Sequence, residues 1–250
     1  MNREQSDAVN ALRILSSICE RNGIDYYLLA GSCLGGVRHS GMIPWDDDID
    51  IGIPNEQYEQ FSNMIKTQMP KPYTWINEQD NYPRFYGKIL KDNYGCIDCF
   101  RLVKFPDNKF MQRLVWISRK ILYRAINMKY CWQTKKEFRR FLSNPVSSLV
   151  GLILSYKQLN SFMRKIEGYS EKHAGSYRIN LHSIYSMEKE LIPQTMLDNK
   201  GYIRFEDAEY PTVGDTHAYL TNLYGDYMTP PPEHERNNKR HTDTFSVKER

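Results

Sequence analysis

The apolar positions of this chain change period several times, and each change marks an element. Between residues 4 and 21, Val9, Leu12, Leu15, Ile18 and Cys19 recur at helical spacing, and Asn22-Gly23 supplies a C-terminal stop. Residues 25–30 (DYYLLA) read as a strand, after which Gly31-Ser32 turns the chain into a short helix containing Leu34, Val37 and Arg38. Gly41 to Pro44 reads as a loop. Asp48 to Ile53 (DIDIGI) alternates with period two, as a half-buried strand does. Pro54-Asn55 opens a second amphipathic helix, with Tyr58, Phe61, Met64 and Ile65 inward. Residues 73–77, 84–91 and 96–102 follow as strands.

Past Phe105 the texture changes. Residues 108–173 are mostly helical in period, with a break at Ser143-Asn144-Pro145. The last third returns to short strands and one helix, with Asp215 as its N-cap and Ala218, Tyr219, Leu220 and Leu223 along it. This order predicts an α+β fold with a mixed sheet. The expected organisation is an α+β core over 1–105, a basic helical insertion over 106–175, and a C-terminal part over 176–250 that packs on the core and completes its cleft. No internal repeat or low-complexity segment interrupts it.

At 250 residues the chain is long enough to bury a substantial core. Its 18 tyrosines suit either a polar cleft lined by aromatic rings or the amphipathic edges of an ordinary core. The net charge of +4 says less than its distribution. Between Lys109 and Arg140 the bases include Arg113, Arg119, Lys120, Arg124, Lys129, Lys135, Lys136 and Arg139, against the single acid Glu137. Met111, Leu114, Val115, Ile117, Ile121, Leu122 and Ile126 give the same stretch an apolar face, with Trp116 and Tyr123 beside it. Two readings fit 109–140: a helix lying on a membrane surface, or a core-packed insertion with a solvated basic face. Nucleic acid is not an expected partner: the chain carries no known nucleic-acid module, and its only basic stretch lies apart from the acidic Asp46–Asp50 segment.

The five cysteines, Cys19, Cys33, Cys96, Cys99 and Cys131, are odd in number and irregular in spacing. Cys96-x-x-Cys99 has neither a second cysteine pair nor a nearby histidine pair to complete a zinc site, so structural thiols are expected. Met1 to Asp7 is polar and no apolar run reaches the roughly 18 residues of a membrane span. A cytoplasmic protein is expected, peripheral at the inner membrane face if 109–140 docks there.

The chemistry concentrates at Asp48-Ile49-Asp50-Ile51. Residues two apart on a strand share a face, so Asp48 and Asp50 point together while Ile49 and Ile51 enter the core. Adjacent carboxylates repel, and a cation or a proton must relieve them. An all-oxygen donor set favours Mg2+ or Mn2+, which hold phosphate oxygens. A solvated acidic turn can also read D-x-D, but three features argue for a site. Gly31-Ser32 follows a strand and opens a helix, where backbone N–H groups hold phosphate. Arg38-His39 adds a fixed cation and a titratable ring. Trp45 offers a flat surface to a base or a sugar. Asp98, in the alternating Ile97-Asp98-Cys99-Phe100, is the best third carboxylate, either as a metal ligand or as the base for an acceptor hydroxyl. Lys88 is a candidate, with Arg38, to offset phosphate charge.

At these residues the chain resembles the LicD/fukutin-type phosphotransferase family. Gly31-Ser32-Cys33-Leu34-Gly35-Gly36-Val37-Arg38-His39 is similar to its G-[ST]-x-L-G-x-x-R-H segment. Ile43-Pro44-Trp45-Asp46-Asp47-Asp48-Ile49-Asp50 is similar to its I-P-W-D-D-D-x-D. Near the C-terminus, Phe205-Glu206 resembles a late F-E-G element with Asp207 in place of glycine. Tyr219-Leu220, Tyr224-Gly225-Asp226-Tyr227-Met228, Pro231-Pro232-Glu233 and Arg236 resemble its ending. The resemblance frames the chain from about residue 25 to 241; residues 105–175 are not diagnostic.

The resemblance implies a nucleotidyltransferase-like core. It also implies transfer of a phospho-substituent, such as phosphocholine, from a CDP-linked donor to a sugar hydroxyl of a cell-surface glycan or its lipid-linked precursor. Asp48 and Asp50 would be metal ligands, and Gly31 and Ser32 would sit at the donor phosphates. One segment departs: where the family has D-I-F-P-L-D, this chain has Asp98-Cys99-Phe100-Arg101-Leu102-Val103, so a differently built loop is expected after Asp98. Rival readings are a D-x-D glycosyltransferase using a sugar nucleotide, or a non-catalytic module that binds a glycan or a membrane.

Overall fold

The computed structural model describes residues 1–77, 84–92, 94–134 and 145–236; for 131–134 and Glu235 it describes the backbone alone. The elements run α1 (Arg3–Asn22), β1 (Tyr27–Leu28), α2 (Ala30–His39), β2 (Ile49–Pro54), α3 (Asn55–Gln68), β3 (Tyr73–Ile76), β4 (Gly87–Lys91) and β5 (Tyr94–Phe105). Three helices follow: α4 (Lys109–Thr134), α5 (Pro145–Ile153) and α6 (Tyr156–Lys172). Then come β6 (Tyr177–Asn180), α7 (Met187–Glu190), β7 (Leu191–Pro193), α8 (Gln194–Asp198), β8 (Gly201–Phe205), β9 (Ala208–Thr212) and α9 (Thr216–Tyr224).

A nine-stranded mixed sheet organises this α+β fold, in the order β3-β4-β5-β2-β1-β9-β8, with β6 and β7 attached beside β5. The β2–β5 and β1–β9 pairs are parallel and the others antiparallel. Period-two alternation sorts the two faces. Ile49, Ile51, Ile53, Ile97 and Cys99 are fully buried in one cluster with Leu12 and Leu15 of α1 and Tyr58 and Phe61 of α3. The intervening residues, Asp50 and Asp98 among them, face the other way. There α2 and α9 pack through Leu34, Leu220 and Leu223.

Local sequence explains the element ends. Asn2 and Gln5 form a capping box at the start of α1, and Gly23 closes the helix in the left-handed conformation. Ser155 and Gln158 form another capping box for α6, and Asp215 caps α9 by accepting from Ala218 N–H at 2.9 Å.

Three expectations change. The strand read over 25–30 shrinks to Tyr27–Leu28, because Ala30 already begins α2 with φ +42°. The strand expected from Arg84 begins at Gly87. No loop follows Asp98: β5 continues to Phe105 and pairs there with β6, from Leu102↔Asn180 to Phe105↔Tyr177. The break at 143–144 lies outside the described residues, as do the bases from Lys135 to Arg140 and the C-terminal segment 237–250. Cys19, Cys33, Cys96 and Cys99 are free thiols buried in the core, and burial pushes the Cys96 thiol up to about 12.

Candidate active site

The carboxylates meet because of strand register. Parallel pairing of β2 with β5 sets Asp50 directly opposite Asp98, and antiparallel pairing of β4 with β5 sets Lys88 opposite Asp98. Asp48 sits one residue ahead of β2. Asp48, Asp50 and Asp98 each offer an oxygen, and these atoms lie within 4.8 Å of one another. Asp46, Asp47 and Asp48 form a second set within the same distance. Lys88 Nζ pairs with Asp98 Oδ1 at 2.8 Å, with both side chains buried.

Coulomb's law decides what this cluster needs. Two like charges at that separation repel by about 3–4 kcal/mol at an effective dielectric constant of 20. Lys88 compensates one carboxylate, and Asp46, Asp48 and Asp50 remain around it. Burial first, then the Asp98, Asp46 and Asp47 charges, pushes the Asp48 carboxyl well above the ordinary range, with Lys88 opposing. Asp50 is pushed up in the same way, by burial and then by Asp48, Asp98 and Asp46. An oxygen-only donor set with surplus negative charge fits a hard divalent cation.

The β1–α2 corner clamps this strand. Leu29 N–H donates to Asp50 O at 3.0 Å, and Asp50 N–H donates to Ser32 Oγ at 2.8 Å. Ala30 holds a left-handed φ of +42°, and its N–H donates to the buried Tyr219 hydroxyl of α9 at 3.0 Å. Strained backbone of this kind is kept where the surroundings over-determine it. Gly31 follows, and a Cβ there would lie 2.9 Å from Asp46 Oδ2, so glycine is what lets the carboxylate approach.

Arg38, His39 and Trp45 gather elsewhere. Seven residues of helix, about 10 Å at 1.5 Å per residue, separate Gly31 from Arg38. Arg38 donates to Tyr227 O at 2.8 Å and to His39 Nε2 at 3.0 Å. The half-buried Trp45 ring takes the Arg236 guanidinium at 4.6 Å, Arg38 at 6.0 Å and the edge of His39 at 6.1 Å. The late Y-G-D-Y-M and P-P-E-x-x-R residues thus meet the early motif at Arg38 and Trp45. Burial, then the Arg38 charge, holds the His39 imidazole below its ordinary value.

The loop between the two motifs is pinned from below. Buried Gln5 donates its amide to Ile43 O at 3.2 Å and to Asp46 O at 2.8 Å. Glu206, at the β8–β9 turn, accepts from Met42 N–H at 2.9 Å and donates its own N–H to Ser40 O at 2.7 Å.

The structure thus brings Asp48, Asp50, Asp98, Lys88, Gly31 and Ser32 together, and sets Arg38, His39 and Trp45 in a separate cluster. Lys88 lies inside the carboxylate cluster and pairs with Asp98. Sequence reasoning missed Asp46 as a member of the cluster, Tyr219 as the partner of Ala30, and Tyr185 with Tyr224. The last two rings meet edge to face at 5.8 Å; both phenols are pushed up by burial, with the Asp50 charge contributing. The D-D-D run was the available signal for Asp46. The tyrosines carried none.

Comparison with known proteins identifies a family. Residues 23–147 match the family model described as LicD/FKTN/FKRP, nucleotidyltransferase domain. The lipopolysaccharide cholinephosphotransferase LicD of Haemophilus influenzae is 26% identical over 254 residues, which cover 94% of each chain. The human ribitol 5-phosphate transferase FKRP is 46% identical over 41 residues, 16% of this chain and 8% of that protein. An uncharacterised protein of Rickettsia prowazekii, RP689, is 34% identical over 100 residues, 40% of this chain and 34% of its own length. The chain is a phosphotransferase enzyme and belongs to the LicD/FKTN/FKRP family.

Proposed function

We propose that this enzyme transfers a phospho-substituent, phosphocholine or a similar group, from a CDP-linked donor to a sugar hydroxyl of a glycan, with Mg2+ or Mn2+ at Asp48, Asp50 and Asp98. The observation that carries this reading is the convergence of those three carboxylates across β2 and β5 with Lys88 beside them. The cholinephosphotransferase and the ribitol 5-phosphate transferase to which the chain is similar are named for groups that differ in the substituent and agree in the phosphate.

A divalent cation at this site supplies the positive charge that a diphosphate and its developing transition state require. The residues of the chain do the rest. The Ser32 clamp and the Leu29 bond fix the Asp50 backbone, so the carboxylate is held before substrate arrives. Gly31 leaves room for the Asp46 carboxylate to approach the cluster, and a donor phosphate would sit at the N-terminus of α2 with the cation between it and the acids. Lys88 holds Asp98 in place, either as the third ligand or as the acceptor of the sugar hydroxyl's proton. Trp45, flanked by Arg38 and Arg236, offers a ring for the base or sugar of the donor.

A donor screen tests this. Purified enzyme with Mg2+ and a glycan acceptor is offered CDP-choline, CDP-ethanolamine, CDP-glycerol and CDP-ribitol, and CMP release is read by chromatography with the product by mass. CMP from one of these donors, abolished by EDTA and restored by Mg2+, is expected. Release of UDP or GDP from a sugar nucleotide instead would replace phosphotransfer with glycosyl transfer.

A further inference from the structure

The strongest feature outside the cleft is an inside-out helix. In α5 the buried residues are Ser147, Ser148 and Gly151. Its large apolar residues face outward, with Val146 65%, Leu149 58% and Ile153 70% exposed. A helix on a water-facing surface carries the opposite pattern. The inversion is built in: a Cβ at Gly151 would lie 2.4 Å from Ala125 O of α4, so the small residues are what let the two helices approach.

The neighbouring helices continue the theme. The outer face of α4 presents Phe110, Leu114, Ile117 and Ile121 at helical spacing, interleaved with the exposed Lys109, Arg113, Lys120 and Arg124. Its inner face is an ordinary core, with Val115, Trp116, Leu122 and Ile126 buried. On α6, Phe162 is exposed with Lys165 Nζ over its ring at 5.2 Å. Between α4 and α6 runs an apolar groove of about 430 Å3, lined by Leu114, Ile121, Phe162, Lys165 and Tyr169 among others. Scattered surface leucines are ordinary, whereas apolar faces on adjoining helices mark a docking surface. Among the described residues from Lys109 to Ile166 there is no Asp or Glu.

We propose that the outer face of α4, α5 and α6 docks on an anionic phospholipid bilayer. The apolar side chains enter the acyl boundary, and the Lys and Arg side chains reach the headgroups from around them. Charge selects this occupant. An acid-free basic fringe complements anionic lipid, and a second copy of the chain would set base against base. The C-terminal segment 237–250 offers no acidic complement either, with Lys239, Arg240, Lys248 and Arg250 against Asp243 and Glu249. No helix among the described residues is long and apolar enough to cross a membrane, so the contact lies in the interface plane. The proposal is independent of which donor the active site uses.

Flotation of the full chain tests it, using phosphatidylcholine vesicles with and without phosphatidylglycerol at low and high salt. The protein is expected to float with the anionic vesicles, less so at high salt. Leu149→Glu with Ile153→Glu, and separately Leu114→Glu with Ile117→Glu, should each lower the vesicle-bound fraction about tenfold or more while leaving the circular dichroism melt unchanged. Arg113→Gln with Lys120→Gln and Arg124→Gln should remove the salt-sensitive part of binding. Protein that stays in the soluble fraction with anionic vesicles at low salt overturns the proposal. So does a dimer in light scattering that Leu149→Glu with Ile153→Glu converts to monomer.

Discussion

On the sheet face that carries Asp48, Asp50 and Asp98, acids converge within 4.8 Å around Lys88; on the outer face of α4, α5 and α6, bases alternate with exposed apolar residues and acids are absent among the described residues. Both regions carry uncompensated features, and the two kinds differ in what completes them. Surplus negative charge held by strand register calls for a small cation in a fixed place. Apolar surface turned outward on helices calls for a broad, soft partner.

The largest effect should come from removing one acid. Asp50→Asn, and equally Asp48→Asn, should lower kcat/KM by at least about a thousandfold, the scale on which a key electrostatic group acts. The same change relieves like-charge repulsion, so the metal-free variant should melt no lower than wild type, and above it at alkaline pH. Calorimetric melts in EDTA beside activity with Mg2+ check both halves. A variant that loses activity and also melts far below wild type would show that the cluster is a structural element.

The sequence displayed these two regions unequally, for physical reasons. Period-two alternation at 48–53 and 97–99 made the shared carboxylate face legible, because a strand's side-chain period is two whatever it pairs with. The register that sets Asp50 opposite Asp98 is a long-range property that no local pattern carries. The same holds for Arg38 and Trp45: their neighbourhood with Arg236 depends on how the chain returns after about two hundred residues, which no local pattern carries. In α4 the mixture of apolar and basic residues was plain in the sequence, and which side faced outward was not. That required the core residues Val115 and Trp116 to be seen against Ile179 and Leu181.

A smaller effect sharpens the electrostatic half. Lys88→Met keeps the aliphatic volume and deletes the charge that Asp98 faces. Breaking a buried pair from one side costs about 3–5 kcal/mol, because the partner is left without compensation. Urea unfolding in EDTA should show a loss in that range, and saturating Mg2+ should recover part of it by binding the native carboxylates. Lys88→Met with Asp98→Asn should be more stable than Lys88→Met alone. If the double variant is no better, the cost lies in packing around the lysine stem and the ion pair contributes little.

The smallest prediction concerns the link between the two regions. Arg119, on the inner face of α4, donates to Leu181 O and Ser183 O, and Ser183 Oγ donates to Glu190; the loop they hold carries Tyr185, which meets Tyr224 and feels the Asp50 charge. Burial raises the Glu190 carboxyl from 4.5 to about 7, against the opposing pull of Ser183 and Arg119. A raised folded-state value means that the native protein binds the proton more tightly than the unfolded chain does. Its contribution to stability is therefore complete below about pH 4.5 and is lost as pH rises through about 7, a change of about 3 kcal/mol. Urea midpoints of the wild type should fall across that window from this group, and Glu190→Gln should flatten the decline. Because the amide is never charged, the variant should equal or exceed wild-type stability above pH 7 and gain nothing below pH 4.5. A Glu190→Gln profile as steep as that of the wild type would assign the titration to another group and would leave the loop from Leu181 to Glu190 insensitive to pH.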